Sequence, residues 1–507
     1  MKKYVLALVT AAAVVAAALI PSGPPVEAAT AGFGSAVSAI KQTSWQTNNS
    51  VNALAISGNT VFAGGLFTRI RQPGKPAGQG EAVRTYIAAF DRTTGAPTAF
   101  APTLNGPVYS IATSPDGKWV VIGGDFTTVN GIKRSKIAMF SVVTGRLVAA
   151  WDPVVSARVK ALAISGSSVY IGGAFGRIDG AVRNHLGAVR LIYGDLLPWN
   201  PNANDDVYAI DVADNGSRVF VGGPFSRLNG NDHYSLAMTN TTTGAAYSFP
   251  AALAIPKPTA TCTTRVKDID TLGDKVFVSN GGDGSGCYDG VLAAQISTGK
   301  LLWKNNCLGA TEAIKAIGNW VYKGSHAHNC SDSGAFPDGT GTHYLLVESA
   351  IDGRIGPWFP NTDADQASTT KVGPLAMAGT STDLWVGGDF LNVNGKAQRG
   401  LTRFTNAPGG SGPAVPRAPV LTASTAGRVY VKFADSYDLD NLSLTYNVFR
   451  GSTNVASAKY VSYFWEPRKA YTVVNRGLKR GSTYSFHIEV HDGRNIRRGP
   501  SASVRIP

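Results

Sequence analysis

Charge is scarce in this chain: Asp, Glu, Lys and Arg together make up 16% of its 507 residues. Cysteine is scarcer still, with four residues, all between Cys262 and Cys330 and none near the start to carry a lipid. Past the opening stretch no apolar run is long enough to span a bilayer, so no transmembrane segment is expected in the mature chain. The C-terminal SASVRIP is no sorting tail. Neither a G-x-S-x-G elbow nor an H-E-x-x-H pair occurs, which removes the commonest hydrolytic nucleophile and zinc arrangements. No helix pattern follows the paired glycines, so a phosphate-cradling loop is excluded too.

Glycine is abundant, at 58 residues, and it punctuates short runs of Val, Ile, Phe, Tyr and Thr. That is a pattern of strands and tight turns, and the mature chain reads as all-β. Lys2 and Lys3, the apolar residues 5–20 and the small residues 28–31 form an export leader, assigned to residues 1–30. A secreted product, extracellular or associated with the cell surface, follows as an expectation.

One strand recurs: VFAGG from Val61, VVIGG from Val120, VYIGG from Val169, VFVGG from Val219 and LWVGG from Leu384, with degenerate copies VFVSN from Val276 and VYKGS from Val321. Repeats of this length containing several short strands indicate the blades of a β-propeller, here seven over residues 31–405. Each copy has an apolar alternating strand before it and another after it. A fourth, outer strand ends near Phe100, Trp151, Trp199, Phe249, Trp303 or Trp358. The last repeat lacks its own outer strand, and the segment around Trp45 is expected to supply it and close the ring. The glycine pairs and the Phe of GGLF, GGDF, GGAF and GGPF read as close packing between blades.

The Gly/Pro-rich segment NAPGGSGPAVP makes residues 406–415 a linker. Residues 416–507 carry a second strand pattern, and GLKRGSTYSF has the form of a tyrosine corner with Tyr484 at its centre. The motifs GGDFTTVNG from Gly123, GGDFLNVNG from Gly387, WNPNAN from Trp199 and GSHAHNC from Gly324 complete a resemblance. The chain resembles secreted bacterial propellers with VYVGGDF-type repeats joined to a fibronectin type III domain. That resemblance implies a seven-bladed β-propeller closed by an N-terminal strand, plus a C-terminal fibronectin-type-III-like β-sandwich.

The long insertions fall on one rim, in the loops that enter a blade and those that join its second and third strands. They cluster in blades five, six, seven and one, as a binding surface on a repeat scaffold would. Cys262 and Cys287 occupy these two loops of blade five, and Cys307 and Cys330 the same two of blade six. Equivalent placement favours the pairs Cys262–Cys287 and Cys307–Cys330 among the three connectivities possible. On this rim His326, His328, Asp332, Phe336, Asp338, His343, Asp363 and Asp365 are the candidate ligand-binding residues. A metal at the histidines is left open. Calcium is the one cofactor considered: Asp363 with Asp365, and Asp435, Asp438 and Asp440 in the C-terminal domain, offer oxygen ligands. Neither set has dedicated calcium-loop spacing, and both read as solvated turn carboxylates.

Residues 416–507 hold 14 Lys and Arg against 6 Asp and Glu, a net of +8 out of the chain's +14. Arg476, Lys479, Arg480, Arg494, Arg497 and Arg498 suit an anionic cell-wall polymer, and export argues against nucleic acid. The expected function is a monomeric, non-catalytic binding or adhesion protein recognising an extracellular glycan, cell-envelope polymer or protein through the propeller top face. The alternative is a polysaccharide-active enzyme, a glycosidase, lyase or oxidase, with an accessory fibronectin type III domain. A copper oxidase of the galactose oxidase type would need a free cysteine, which the disulfide pairing denies.

Overall fold

The computed structural model describes residues 37–284, 287–368, 371–406 and 410–507. The expected leader, residues 1–30, lies outside them. The chain divides into two compact units, with the division between Gly410 and Ser411. Both are all-β.

The first unit is a series of antiparallel meanders. The first two are Val51–Ser57, Thr60–Gly65, Ile87–Asp91 and then Val108–Thr113, Trp119–Gly124, Ile137–Ser141. The third and fourth are Val159–Ser165, Ser168–Gly173, Leu186–Arg190 and Ala209–Val212, Arg218–Gly222, Leu236–Asn240. The fifth runs Cys262–Leu272, Lys275–Gly284, Gly290–Gln295, Leu301–Asn306, and the sixth Thr311–Ile317, Trp320–Ala327, His343–Ser349. The last is Pro374–Gly379, Asp383–Gly388, Leu401–Thr405. First strands of successive meanders pack side by side, and Pro374–Gly379 packs beside Val51–Ser57. Meanders radiating from neighbouring inner strands are the arrangement of a β-propeller.

The glycine pairs explain the close approach. A Cβ on Gly64, Gly123, Gly172, Gly222 or Gly387 would overlap a valine on or just before the next inner strand: Val108, Val159, Val207, Val266 or Val51. Gly387 against Val51 joins the last meander to the first. A Cβ on the second glycine of each pair would overlap a backbone carbonyl at the head of its own inner strand, as Gly124 would meet Pro107 O. The following phenylalanines, Phe67, Phe126, Phe175, Phe225 and Phe390, are fully buried.

Two expectations change in detail. The chain does come round to the last meander, but through Lys41–Gln42, which pairs with Arg403 and Phe404. Trp45 follows that strand, and its neighbours Gln46–Thr47 pair instead with Arg69–Arg71. The outer strand is also shorter than expected. Among the described residues Leu301–Asn306 is the one long fourth strand; Lys41–Gln42 is a two-residue one, and elsewhere it shrinks to single bridges such as Phe90↔Pro97 and Val189↔Leu196. The reason is the aromatic three or four residues on, which leaves the sheet to fill the gap between meanders. Phe100 lies edge-on to both Phe62 and Phe140, at 5.3 and 5.2 Å, and Trp358 to Tyr322 at 4.9 Å.

The second unit packs a sheet of Val420–Ser424, Arg428–Ala434 and Ala470–Asn475 against one built on Thr453–Val461, Ser443–Arg450 and Thr483–His491. Ile496–Arg498 and Ala502–Arg505 both pair with the last of these strands. Alternate residues point inward, Val429, Val431 and Phe433 meeting Leu444, Tyr446, Val448, Phe486, Ile488 and Val490 in one core. The Lys479 N–H donates to the Tyr484 hydroxyl at 3.1 Å, as the corner motif requires.

Candidate functional site

One rim of the propeller gathers both kinds of long loop. The segment entering a meander bridges to the loop between its second and third strands at Leu104↔Val129, Val155↔Ile178, Ala203↔Leu228, Leu308↔Asn329 and Thr362↔Val393. In the regular meanders that second loop is a two-stranded hairpin, turning through a left-handed Asn or Asp and a glycine: Asn130–Gly131, Asp179–Gly180, Asn229–Gly230 and Asn394–Gly395. A carboxamide, hydroxyl or carboxylate from the entering segment then caps the hairpin. Asn105 Oδ1 accepts from the Thr127 and Thr128 N–H groups, and Asn204 Oδ1 from those of Ser226 and Arg227.

Asp363 belongs to this repeat. Its Oδ1 accepts from the Leu391 and Asn392 N–H groups at 2.7 and 2.8 Å, and its Oδ2 from Asn392 Nδ2 at 2.6 Å. Asp365 is equally occupied, by the Ala367 N–H and by Arg399 at 2.9 Å. Both carboxylates are committed to loop structure rather than left solvated.

The fifth and sixth meanders break the pattern. The hairpin Cys262–Leu272 with Lys275–Gly284 is longer than its counterparts and is tied at its open end, away from the turn, by Cys262–Cys287. In the sixth, Cys307–Cys330 flanks the Leu308↔Asn329 bridge, so the disulfide reinforces a contact that other meanders make without one. Both are the pairings read from the repeat, and no described cysteine is free.

Two polar hollows lie beside these braces. One, of about 340 Å³, is lined by Pro256, Cys287, Tyr288, Lys304, Asn306 and Asp332. Lys304 Nζ sits 4.0 Å over the Tyr288 ring and donates to Ala254 O at 2.8 Å. Burial holds the Lys304 ammonium below, and the Tyr288 hydroxyl well above, their ordinary ranges. The other, of about 250 Å³, is lined by Lys267, Asp283, Glu312 and His326, with Gly281, Gly282 and Ala310 beneath and Val372 and Leu375 beside them. Lys267 Nζ reaches both Glu312 oxygens, at 3.1 and 3.0 Å. His326 Nδ1 is buried without a hydrogen-bond partner among the described residues, and burial lowers its pKa against the pull of Glu312 and Asp289.

The predicted residues therefore separate. Asp332 and His326 line different hollows. His328 Nδ1 lies 2.7 Å from Asp338 Oδ1, and Asn329 donates to the other oxygen at 3.0 Å. These two bonds, His328 first, hold the Asp338 carboxyl below its usual range. Phe336 is fully buried and lies 4.1 Å from the His343 ring, with Phe359 on the other side at 5.1 Å. Burial pushes His343 down to about 4, so it stays neutral at physiological pH. Among the described residues no three His, Cys, Asp or Glu side chains converge as a metal set would.

Lys267, Tyr288, Lys304, Asn306 and Glu312 were not read from the sequence. Two of them share a position that only the strand register reveals. Inner strands carry a β-bulge at one register, as between Val108 and Ser110, Val159 and Ala161, Val266 and Asp268, and Thr311 and Ala313. The bulged residues there are Tyr109, Lys160, Lys267 and Glu312, and a bulge re-aims its side chain.

In the second unit Arg476, Lys479, Arg480, Arg494, Arg497 and Arg498 are all exposed. They form two groups rather than one patch: the first precedes Thr483, while Arg498 pairs with Glu489. At about 3.3 Å per residue these groups sit roughly 20 Å apart along the strand. Asp435, Asp438 and Asp440 are buried, which corrects the reading of them as solvated.

No family model matches the chain, and no curated protein matches it. Among solved structures, the β-propeller domain of Cps50 (Swd1) from Myceliophteria thermophila is similar over 72% of this chain and 99% of that domain, with a TM-score of 0.42 and 11% identity. No described helix is long and apolar enough to cross a membrane.

Proposed function

We propose that the chain is a secreted seven-bladed β-propeller followed by a fibronectin type III-like domain, and that it binds an extracellular glycan through the rim above the fifth and sixth blades. One observation carries this reading: two adjacent disulfide-braced loops flank two hollows rich in hydrogen-bonding groups, where regular blades spend the same loops on capped hairpins. An amine, a carboxamide and a carboxylate around one hollow suit a polyhydroxylated ligand better than a purely anionic one. The exposed arginines and lysines of the second unit would add attachment to an anionic envelope polymer.

The test is a glycan array probed with the mature chain and with the Lys304→Ala/Asp332→Ala double variant. Binding in the parent that falls at least tenfold in a variant of unchanged melting temperature supports the reading. Equal binding by both overturns the placement.

A second reading has its own observation, since Asp283 and Glu312 share one hollow with the neutral imidazole of His326. Two carboxyl groups flanking a bond are what glycoside hydrolysis needs. Release of reducing ends from polysaccharide, abolished in Glu312→Gln, would establish the enzyme instead.

A further inference from the structure

The second unit contains two neighbouring buried acids, one of which keeps an oxygen without a donor among the described residues. The loop joining Arg428–Ala434 to Ser443–Arg450 carries Asp435, Asp438 and Asp440, all buried. Asp435 is fully employed. Its Oδ1 accepts from the Lys469 N–H at 2.9 Å, its Oδ2 from the Ser462 hydroxyl at 3.0 Å, and Arg468 lies 3.9 Å away.

Asp438 and Asp440 are different, because they lie within hydrogen-bonding reach of each other. Together they grip Ser411. The Ser411 hydroxyl donates to Asp438 Oδ1 at 2.7 Å, and its N–H to Asp440 Oδ2 at 2.8 Å. The Asp440 N–H also reaches Asp438 Oδ1, at 3.0 Å. Asp438 is 2% exposed, yet its Oδ2 is buried with no hydrogen-bond partner among the described residues.

Two carboxylates this close, out of water, repel, and a buried oxygen acceptor without a donor is costly. Such a pair is relieved by a shared proton or by a cation between the two groups. We propose that Asp438 and Asp440 bind a divalent cation of the calcium type, which fastens the segment starting at Ser411 to the loop 435–442. Calcium fits the chemistry because it takes carboxylate, carbonyl and water oxygens in flexible numbers, whereas magnesium demands near-ideal octahedral geometry. The charge also balances, one dication against two carboxylates.

The experiment titrates calcium chloride into chelator-stripped full-length mature protein by calorimetry, with melting followed in parallel. Saturable uptake of one ion per chain is expected, with Kd of about 10⁻⁴–10⁻³ M, the range of extracellular modules. Asp438→Asn and Asp440→Asn should each weaken it at least tenfold, with circular dichroism verifying the fold, while magnesium competes poorly. No saturable uptake up to about 10 mM, well above that range, overturns the site and leaves a shared proton. So does uptake that a folded Asp438→Asn or Asp440→Asn variant retains unchanged.

Discussion

Lys323 and Glu348 form an ion pair in the sixth meander with both side chains wholly out of solvent. They lie diagonally on adjacent strands, where Lys323 pairs with Leu346 and Val321 with Glu348. Among the described residues no further hydrogen bond reaches the ammonium or either carboxylate oxygen. Burial raises the Glu348 pKa more than Lys323 lowers it, so the pair only partly offsets its desolvation. Lys323→Met should therefore strand a buried carboxylate and destabilise by about 3–5 kcal/mol. At about 2.1 cal/mol/K of unfolding entropy per residue, that lowers the melting point of a unit this size by about 4–6 °C. Lys323→Met/Glu348→Leu, apolar and of similar volume, should recover to within about 1 kcal/mol of the parent. The pH dependence has a definite sign. Glu348 titrates above its ordinary value of 4.5 when folded, so stability falls as pH rises from there through the folded value and is flat beyond. Removing Lys323 extends that fall to higher pH, and the deficit of the single variant should shrink on acidification toward pH 5. Urea melts of the three proteins at several pH values decide the matter. A double variant as unstable as the single one would refute the reasoning.

Three further outcomes are expected. Replacing Cys307 and Cys330 with serine removes a link across 23 residues, worth about 3 kcal/mol by chain entropy, and should speed proteolysis of the sixth-meander loop while leaving the other disulfide intact in a peptide map. Gly123→Ala drives a Cβ into Val159 of the next meander and should cost about 1–3 kcal/mol in a thermal melt, whereas a silent substitution would show that the meanders can move apart. Asp268, raised to about 7 chiefly by burial, binds its proton more tightly when folded, so stability should decline from about pH 4 to about pH 7. Asp268→Asn should flatten that slope in melts across the range, and an unchanged slope would assign it elsewhere.

Much of the scaffold was legible because it rests on sterics that repeat. GG-x-F recurs since the next valine and a carbonyl leave the two glycines no room for a Cβ, and a left-handed residue holds the phenylalanine's backbone. That left-handed residue, Tyr86, Lys136, His185 or Ser235, donates its N–H to the carbonyl of the motif's phenylalanine, as in Tyr86 to Phe67 and Ser235 to Phe225. The paired cysteines were legible by the same repeat logic. Capping was missed, although Asn48, Asn105, Ser156, Asn204 and Asp363 all do it, because their flanking sequences, TNNSV, TLNGP, VVSAR, NANDD and NTDAD, share no visible string. Only the hydrogen bonds reveal that Asn, Ser and Asp are interchangeable there. The hollows were illegible for another reason. Lys267 and Glu312 meet across two meanders, 45 residues apart, and no local pattern announces such a meeting.

The inner strands show why the fifth and sixth meanders stand apart even below the rim. Where the first and third place Ala53, Ala55, Ala161 and Ala163, the fourth, fifth and sixth place Asp211, Asp268, Asp270 and Lys315. The acids are not stray charges. Asp211 accepts the Thr271 N–H, Asp268 that of Ile314 and Asp270 that of Ala316, at 2.8, 2.9 and 2.6 Å, so each grips the next inner strand. Lys315 answers Asp270 at 2.6 Å. Alanine packing asks nothing of its neighbours, whereas these side chains fix the register of one meander against the next. Departures from a repeat's local rule are found where strain or function demands them. Here the charged clamps lie beneath the disulfide-braced loops, where rigid positioning of two hollows would matter most.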